Sequence, residues 1–171
     1  SKGDHDLYID DDEYHEPGYL TDLLSRRAVD VVRKQAAKAR AGDPFFISLH
    51  YTAPHWPWET RDDEALSRTV GNLFHLDGGN VATYLRMIHH MDEGIGWLMQ
   101  ALRDEGVADD TLVVFTSDNG GERFSDNWPL VGGKMDLTEG GIRVPWIAHW
   151  PRGIAAGGVT AQHCLTIDWS A

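Results

Sequence analysis

The chain has 171 residues, of which 42% are hydrophobic, so it is long enough and apolar enough for one domain with a buried core. Its 27 acidic residues outnumber its 15 Lys and Arg, and the formal charge of -12 argues against a nucleic-acid binder that neutralises phosphates. No apolar run is long enough for a membrane span, and the single cysteine, Cys164, excludes an internal disulfide and a thiolate zinc cluster.

Residues 1–17 form an acidic segment that we expect to be an extended lead-in, because its charges repel one another and it has no apolar period. The triple carboxylate Asp10-Asp11-Asp12 could hold a hard cation. No glycine-punctuated loop or further ligand follows it, which favours a solvated tail. We expect residues 18–171 to form the folded part of the chain.

Two helices are predicted from apolar residues that recur at helical spacing. The first begins at Thr21 and ends near Gly42, and the second spans 81–105, with Asn80 and Gly106 as its caps. The expected apolar face of the second helix consists of Val81, Leu85, Ile88, Met91, Ile95, Leu98, Met99 and Leu102.

Short apolar runs between and after the helices predict buried strands. They lie at 45–49, 111–116 and 144–150, and a further strand could begin at 165–169. Helices that separate buried strands predict an α/β layered domain with a largely parallel sheet flanked by helices.

The first strand runs into a proline-rich segment that contains His55. Pro54 and Pro57 flank this histidine and restrict the backbone around it. A fixed imidazole can donate a hydrogen bond to an anion or pass a proton to a leaving group. A histidine that packs in a proline-rich turn is the alternative, and spacing alone does not decide between them.

The strand at 111–116 leads into Ser117 and then Asp118-Asn119-Gly120-Gly121. A carboxylate and an amide oxygen side by side suit a hard divalent cation such as calcium or magnesium. The same residues are also common in turns, so this motif alone favours a turn.

The glycine-rich stretch that follows carries Lys134 behind Gly132-Gly133. Flexible glycines would let this lysine approach an anion as a point charge, although a lone lysine is more often solvated. Glu139 and Arg143 are expected to form a partly buried pair that shapes the loop.

Taken in order, these segments resemble the sulfatases of the alkaline-phosphatase superfamily, over roughly residues 18–169. The match is an ordered series of short motifs rather than one signature. The matching segments are Gly18–Asp22, Pro44–Pro57, His90–Gly96, Thr111–Gly121 and Gly132–Pro151.

The resemblance implies an alkaline-phosphatase-like α/β fold with a parallel or mixed sheet. It also implies that Asp118 and Asn119 are ligands of a divalent cation, usually Ca²⁺. Lys134 would contact the sulfate, and His55 would contact it too or assist the leaving oxygen. A cation, a lysine and an imidazole at the sulfate oxygens would stabilise the charge that develops as the S–O bond breaks.

The nucleophile segment of the family is not found in this sequence. Sulfatases use a formylglycine made from a Cys or Ser followed by x-Pro-x-Arg, whereas Cys164 is followed by Leu165-Thr166-Ile167. The family's tandem aspartates and its Gly-Lys-x-His segment are missing as well. We therefore expect an internal piece of a sulfatase catalytic domain that is inactive alone and self-associates through surface exposed by truncation.

The expected ligand of the parent protein is a small sulfate ester or a sulfated carbohydrate. Trp56, Trp58 or Trp128 could stack on a ring of such a substrate, although packing is the expected role of any one of them. The resemblance suggests a parent that is exported or lysosomal. The alternatives are a phosphodiesterase or phosphonate-monoester hydrolase of the same superfamily, and a non-catalytic module that binds a metal or an anion.

Overall fold

The computed structural model describes residues 7–69 and 79–168. The described elements, in chain order, are β1 (Tyr8–Ile9), β2 (Asp12–Glu13), α1 (Leu20–Arg40), α2 (Glu64–Ser67), α3 (Val81–Asp104), a 3₁₀ turn (Ala108–Asp110), β3 (Val113–Thr116), α4 (Glu139–Ile142) and β4 (Trp146–His149). In these two ranges, no helix is both long enough and apolar enough to cross a membrane.

Helices α1 and α3 pack against each other and carry the main core, and both agree with the predicted helices. The Asn80 side chain caps α3 by accepting a hydrogen bond of 3.0 Å from the backbone N–H of Thr83. Gly106 follows α3 with φ of +68°, the left-handed conformation that glycine adopts at helix ends. The core between the helices consists of Val29, Val32, Ala36, Ala101, Leu102 and Val107.

The apolar face predicted for α3 is wrong in its first half. Val81 and Leu85 are more than half exposed, whereas Met87, His90 and Gly94 are buried. The helix is turned this way because Gly94 lies directly against Ser25 of α1, where any Cβ would collide with the Ser25 side chain. Close backbone approach therefore decides the orientation, rather than the most hydrophobic side chains.

Strands β3 and β4 form an antiparallel pair, with Val113 opposite His149 and Thr116 opposite Trp146. They confirm the strands predicted at 111–116 and 144–150, with shorter bounds. The predicted parallel arrangement is not observed in the described part of the chain, where each sheet has two antiparallel strands.

Two other strand predictions do not hold. Residues 45–49 are not in a strand, since no described segment pairs with them, although Phe45 and Ile47 still pack on the core and Phe46 is 76% exposed. Residues 165–168 form a turn, closed by the N–H of Asp168 donating to the carbonyl of Leu165 at 2.9 Å. Residue 169, the last of that predicted strand, lies outside the described residues.

The described part of the acidic lead-in is a small hairpin. Strands β1 and β2 pair antiparallel around Asp10, which has a left-handed φ of 55°, and the N–H of Tyr14 donates to the carbonyl of Leu7 at 2.8 Å. The carboxylates of Asp10, Asp11 and Asp12 are exposed. The division of the chain at residue 17 stays a prediction.

Candidate functional site

The expected cation ligands, Asp118 and Asn119, follow β3 after one intervening residue, Ser117. The Ser117 hydroxyl donates to the carbonyl of Asn119 at 3.0 Å, and the N–H of Gly120 donates to the carbonyl of Gly141 at 2.8 Å. Asp118 is exposed, whereas Asn119 is half-buried. The backbone behind the two side chains is therefore fixed at both ends, and the Asp118 carboxylate faces solvent.

Residues 119–141 form a loop, here called the glycine loop, in which glycines let backbone segments touch. A Cβ on Gly120 would collide with the carbonyl of Gly140, and a Cβ on Gly140 would collide with that of Gly132. A Cβ on Gly141 would collide with the carbonyl of Gly133. The expectation that Gly132-Gly133 is a flexible pair is thus wrong, since the loop is closely packed and its glycines have no room for a side chain.

Lys134 is held in this loop by its backbone and by its ammonium group. Its N–H donates to the carbonyl of Gly121 at 2.9 Å, and its Nζ lies 3.1 Å from Oε2 of Glu122. The Asn127 side chain donates to the carbonyls of Gly121 and Gly132 at 3.0 and 3.1 Å. Lys134 is therefore partly buried and paired, whereas a lone lysine is usually solvated.

His55 lies in a turn with its imidazole exposed. Its N–H donates to the carbonyl of Thr52 at 2.8 Å, and its Nδ1 lies 2.7 Å from the carbonyl oxygen of Trp56. Since a carbonyl only accepts, Nδ1 must carry the hydrogen. Nε2 is then an acceptor in the neutral ring, and it can donate to an anion or to a leaving oxygen only in the charged ring.

Two aromatic residues join the segment around His55 to the glycine loop. The rings of Trp58 and Phe124 meet edge to face with centroids 4.8 Å apart, and the Arg123 guanidinium lies 5.3 and 4.7 Å from the two ring centroids. Trp58 is only 6% exposed and packs with Ala53 and Met87. The structure thus brings together the two loops that carry His55 and Lys134, and it gives Trp58 a packing role.

Asp118 and Asn119 fit a divalent cation in the chemistry of their oxygen donors. Calcium takes six to eight oxygen ligands, and residues 7–69 and 79–168 contain no group of three or more Asp, Glu, His or Cys side chains that could hold a metal ion. These two residues can therefore supply part of the oxygen ligands that such a cation takes.

The predicted pair between Glu139 and Arg143 exists but is not partly buried. The two charged groups are 3.0 Å apart across α4, with side chains 59% and 67% exposed. Such a pair contributes little to stability, and the close contacts of the glycines shape the loop instead.

An ionic network that the sequence does not predict joins α1 to α3 through Arg61. Arg61 donates through Nη2 to Asp22 of α1 and to Glu93 of α3, at 2.9 Å each. His90 of α3 lies 3.3 Å from Glu93 and is 7% exposed. Hydrogen bonding from His90, followed by that from Arg61, lowers the pKa of Glu93. No short-range signal marks Arg61, because its partners lie 39 and 32 residues away.

The family model described as Sulfatase matches residues 3–169 of this chain. The chain belongs to the sulfatase family. It is 32% identical over 149 residues to the N-acetylgalactosamine-6-sulfatase of Homo sapiens, a match that covers 84% of this chain and 26% of that protein. It is 40% identical over 161 residues to the steryl-sulfatase of Mus musculus, covering 88% of this chain and 23% of that protein.

A solved structure is similar to this chain as well. The crystal structure of Ps i-CgsB in complex with k-i-k-neocarrahexaose matches with a TM-score of 0.72 and 39% sequence identity, covering 86% of this chain and 31% of that chain. This sulfatase chain therefore has the α/β fold of its structural relatives, and it spans about a quarter of the length of the curated relatives that it matches.

Proposed function

We propose that this chain is part of the catalytic domain of an enzyme that hydrolyses sulfate monoesters. The observation that supports this most strongly is the hydrogen bond of 2.9 Å from the N–H of Lys134 to the carbonyl of Gly121. It ties Lys134 to Gly121, two residues after Asn119 in the chain. A lysine and oxygen donors for a cation on one closely packed segment suit an anionic ester.

Each residue of the site has a separate part in this proposal. Asp118 and Asn119 would hold a divalent cation, with Ca²⁺ as the proposed ion, and that ion would supply charge stabilisation at the sulfate oxygens. Lys134 would bind a sulfate oxygen. His55, whose Nδ1 donates to the carbonyl of Trp56, would contact the sulfate or give a proton from Nε2 to the leaving oxygen.

The nucleophile is not supplied by this sequence. No Cys or Ser in it is followed by x-Pro-x-Arg, the pattern from which the formylglycine of the family is made. We therefore propose that the chain has no turnover by itself, and that turnover belongs to a longer parent protein. An exported or lysosomal location is likewise proposed for the parent protein and not for this chain.

We propose a sulfated carbohydrate as the substrate of the parent protein. Two of the matched proteins are named for N-acetylgalactosamine and for a complex with a neocarrahexaose. Within the chain, Trp128 is 84% exposed in the glycine loop, where an indole face can pack on the apolar face of a sugar ring. The turn that presents it is fixed by the N–H of Trp128 donating to the Asp126 carboxylate at 2.9 Å.

The proposal is tested by assaying the full-length parent protein with a sulfate monoester and with the phosphate monoester and diester of the same alcohol. We expect hydrolysis of the sulfate ester, loss of activity on addition of a chelator and recovery with Ca²⁺. Asp118→Ala should abolish the metal-dependent activity. Asp11→Ala, in the exposed turn of the hairpin, is the matched control and should retain it. Preferred hydrolysis of the phosphate diester would contradict the proposal.

A further inference from the structure

The ion pair between Glu122 and Lys134 lies inside the proposed anion site and has no part in the chemistry described so far. Oε2 of Glu122 is 3.1 Å from Nζ of Lys134, and the two side chains are 29% and 21% exposed. The backbone bond from Lys134 to Gly121 holds residue 122 beside the lysine. The pair is thus set by backbone geometry and is partly protected from solvent, unlike an ordinary surface pair.

We infer that Glu122 sets the charge of this site, so that the parent enzyme accepts singly charged sulfate esters in preference to doubly charged phosphate monoesters. This inference rests on the proposed function. An ammonium group has three donors, so a lysine that gives one to a carboxylate keeps two for an ester oxygen. The Glu122 carboxylate holds the lysine in place and also cancels its charge in part.

The charge balance then distinguishes the two kinds of ester. A sulfate monoester carries one negative charge, whereas a phosphate monoester carries close to two above its second pKa of about 6. The Glu122 carboxylate repels the second charge as well as the first. A charge within about 4–6 Å of an ionisable group shifts its protonation equilibrium by roughly tenfold or more. We expect an effect of this size on the binding of the doubly charged ester.

Two other charged side chains of the loop make contacts of their own. The Arg123 guanidinium lies over the rings of Trp58 and Phe124. A second carboxylate, that of Asp136, accepts the N–H of Gly133 at 2.9 Å, next to Lys134 in the chain. The glycine loop therefore places one carboxylate at the Lys134 ammonium group and a second at the backbone of the preceding residue, which suits an anion of low charge.

The test compares one aryl sulfate with the phosphate monoester of the same phenol at pH 8, in the full-length parent protein. In Glu122→Gln, the ratio of kcat/KM for sulfate to that for phosphate should fall about tenfold. The inhibition constant of inorganic phosphate should fall more than that of inorganic sulfate. Glu122→Asp keeps the charge and should restore the ratio to within about threefold. Glu139→Gln, an exposed glutamate of the same loop, is the matched control.

Each outcome decides the inference. If Glu122→Gln lowers both activities in parallel, or leaves the ratio unchanged, Glu122 is only a support for the loop and the inference is wrong. Glu122→Ala serves as a second neutral variant, with thermal unfolding measured for both, so that misfolding of one variant is recognised. An unaltered protein without any sulfate ester hydrolysis would instead overturn the proposed function, and the inference with it.

Discussion

The indole ring of Trp58 meets the phenyl ring of Phe124 edge to face, with centroids 4.8 Å apart. Trp58 follows His55 by three residues, and Phe124 belongs to the glycine loop that carries Lys134. Contacts of the buried Trp58 ring with the glycine loop therefore help to set the relative position of the two proposed sulfate-binding side chains.

Replacing Trp58 by Ala should destabilise the protein strongly, because a buried indole is removed from a packed cluster. We expect a loss of about 3–5 kcal/mol in the free energy of unfolding, measured by urea denaturation. Trp128→Ala removes the same side chain from a position that is 84% exposed, and should change that free energy by less than about 0.5 kcal/mol. Equal effects of the two substitutions would show that the packing of Trp58 does not contribute to the free energy of unfolding.

Two glycines of α3 provide a second matched pair, two residues apart in one helix. A Cβ on Gly94 would collide with Ser25 of α1, whereas a Cβ on Gly96 has nothing within 4 Å. Gly96→Ala should therefore stabilise the protein by about 0.5–1 kcal/mol, since alanine is the better helix former. Gly94→Ala should destabilise it, because α1 and α3 must separate. Thermal unfolding of both variants checks the opposite signs.

Lys134→Ala should lower kcat/KM for a sulfate ester by about 10²-fold or more in the parent protein, as expected for the loss of one group that stabilises developing charge. Lys34→Ala removes an exposed lysine of α1 and should have no effect on the rate. Steady-state kinetics with a single sulfate ester measures both. If Lys134→Ala retained full activity, the placement of Lys134 at the sulfate would be wrong.

The network of Glu93, His90 and Arg61 predicts a loss of stability in acid. The hydrogen bond from His90, together with Arg61, holds the pKa of Glu93 below its ordinary value in the folded protein. A carboxyl with a lowered folded pKa stabilises the fold above its unfolded pKa, and this contribution is lost as the pH falls through the folded pKa.

Unfolding curves between pH 6 and pH 3 would measure this loss. Glu93→Gln should be less stable than the unaltered protein at pH 6, and the difference should shrink as the pH falls. Glu64→Gln is the control, because Glu64 of the short helix α2 is exposed and forms a surface pair with Arg68. A constant difference between Glu93→Gln and the unaltered protein at all pH values would contradict the assignment.

Local features of this chain could be predicted from its sequence because their causes lie within a few residues. The Asn80 side chain caps α3 through a residue three positions away, and Gly106 ends it through its own backbone conformation. The motif Asp118-Asn119 and the lysine at 134 were identified in the same way, from short patterns that resemble the sulfatases. Their roles as ligands remain predictions.

Features that depend on distant partners were not predictable. The run at 45–49 has the composition of a strand, but a strand needs a neighbour, and none of the described segments pairs with it. The buried face of α3 depends on Ser25, which is 69 residues before Gly94 in the chain, and the charge partner of Lys134 depends on how the glycine loop closes. Hydrophobic periodicity and motif spacing carry no information on these contacts.

The glycine loop separates positions that must stay small from positions that can vary. Gly120, Gly140 and Gly141 have no space for even a methyl group, whereas Val131 and Leu137 are 73% and 91% exposed. A random library at these two exposed positions should therefore change the surface of the loop while the loop keeps its shape. Evolution could use the same freedom, so that proteins with one common backbone frame diverge in the molecules they select.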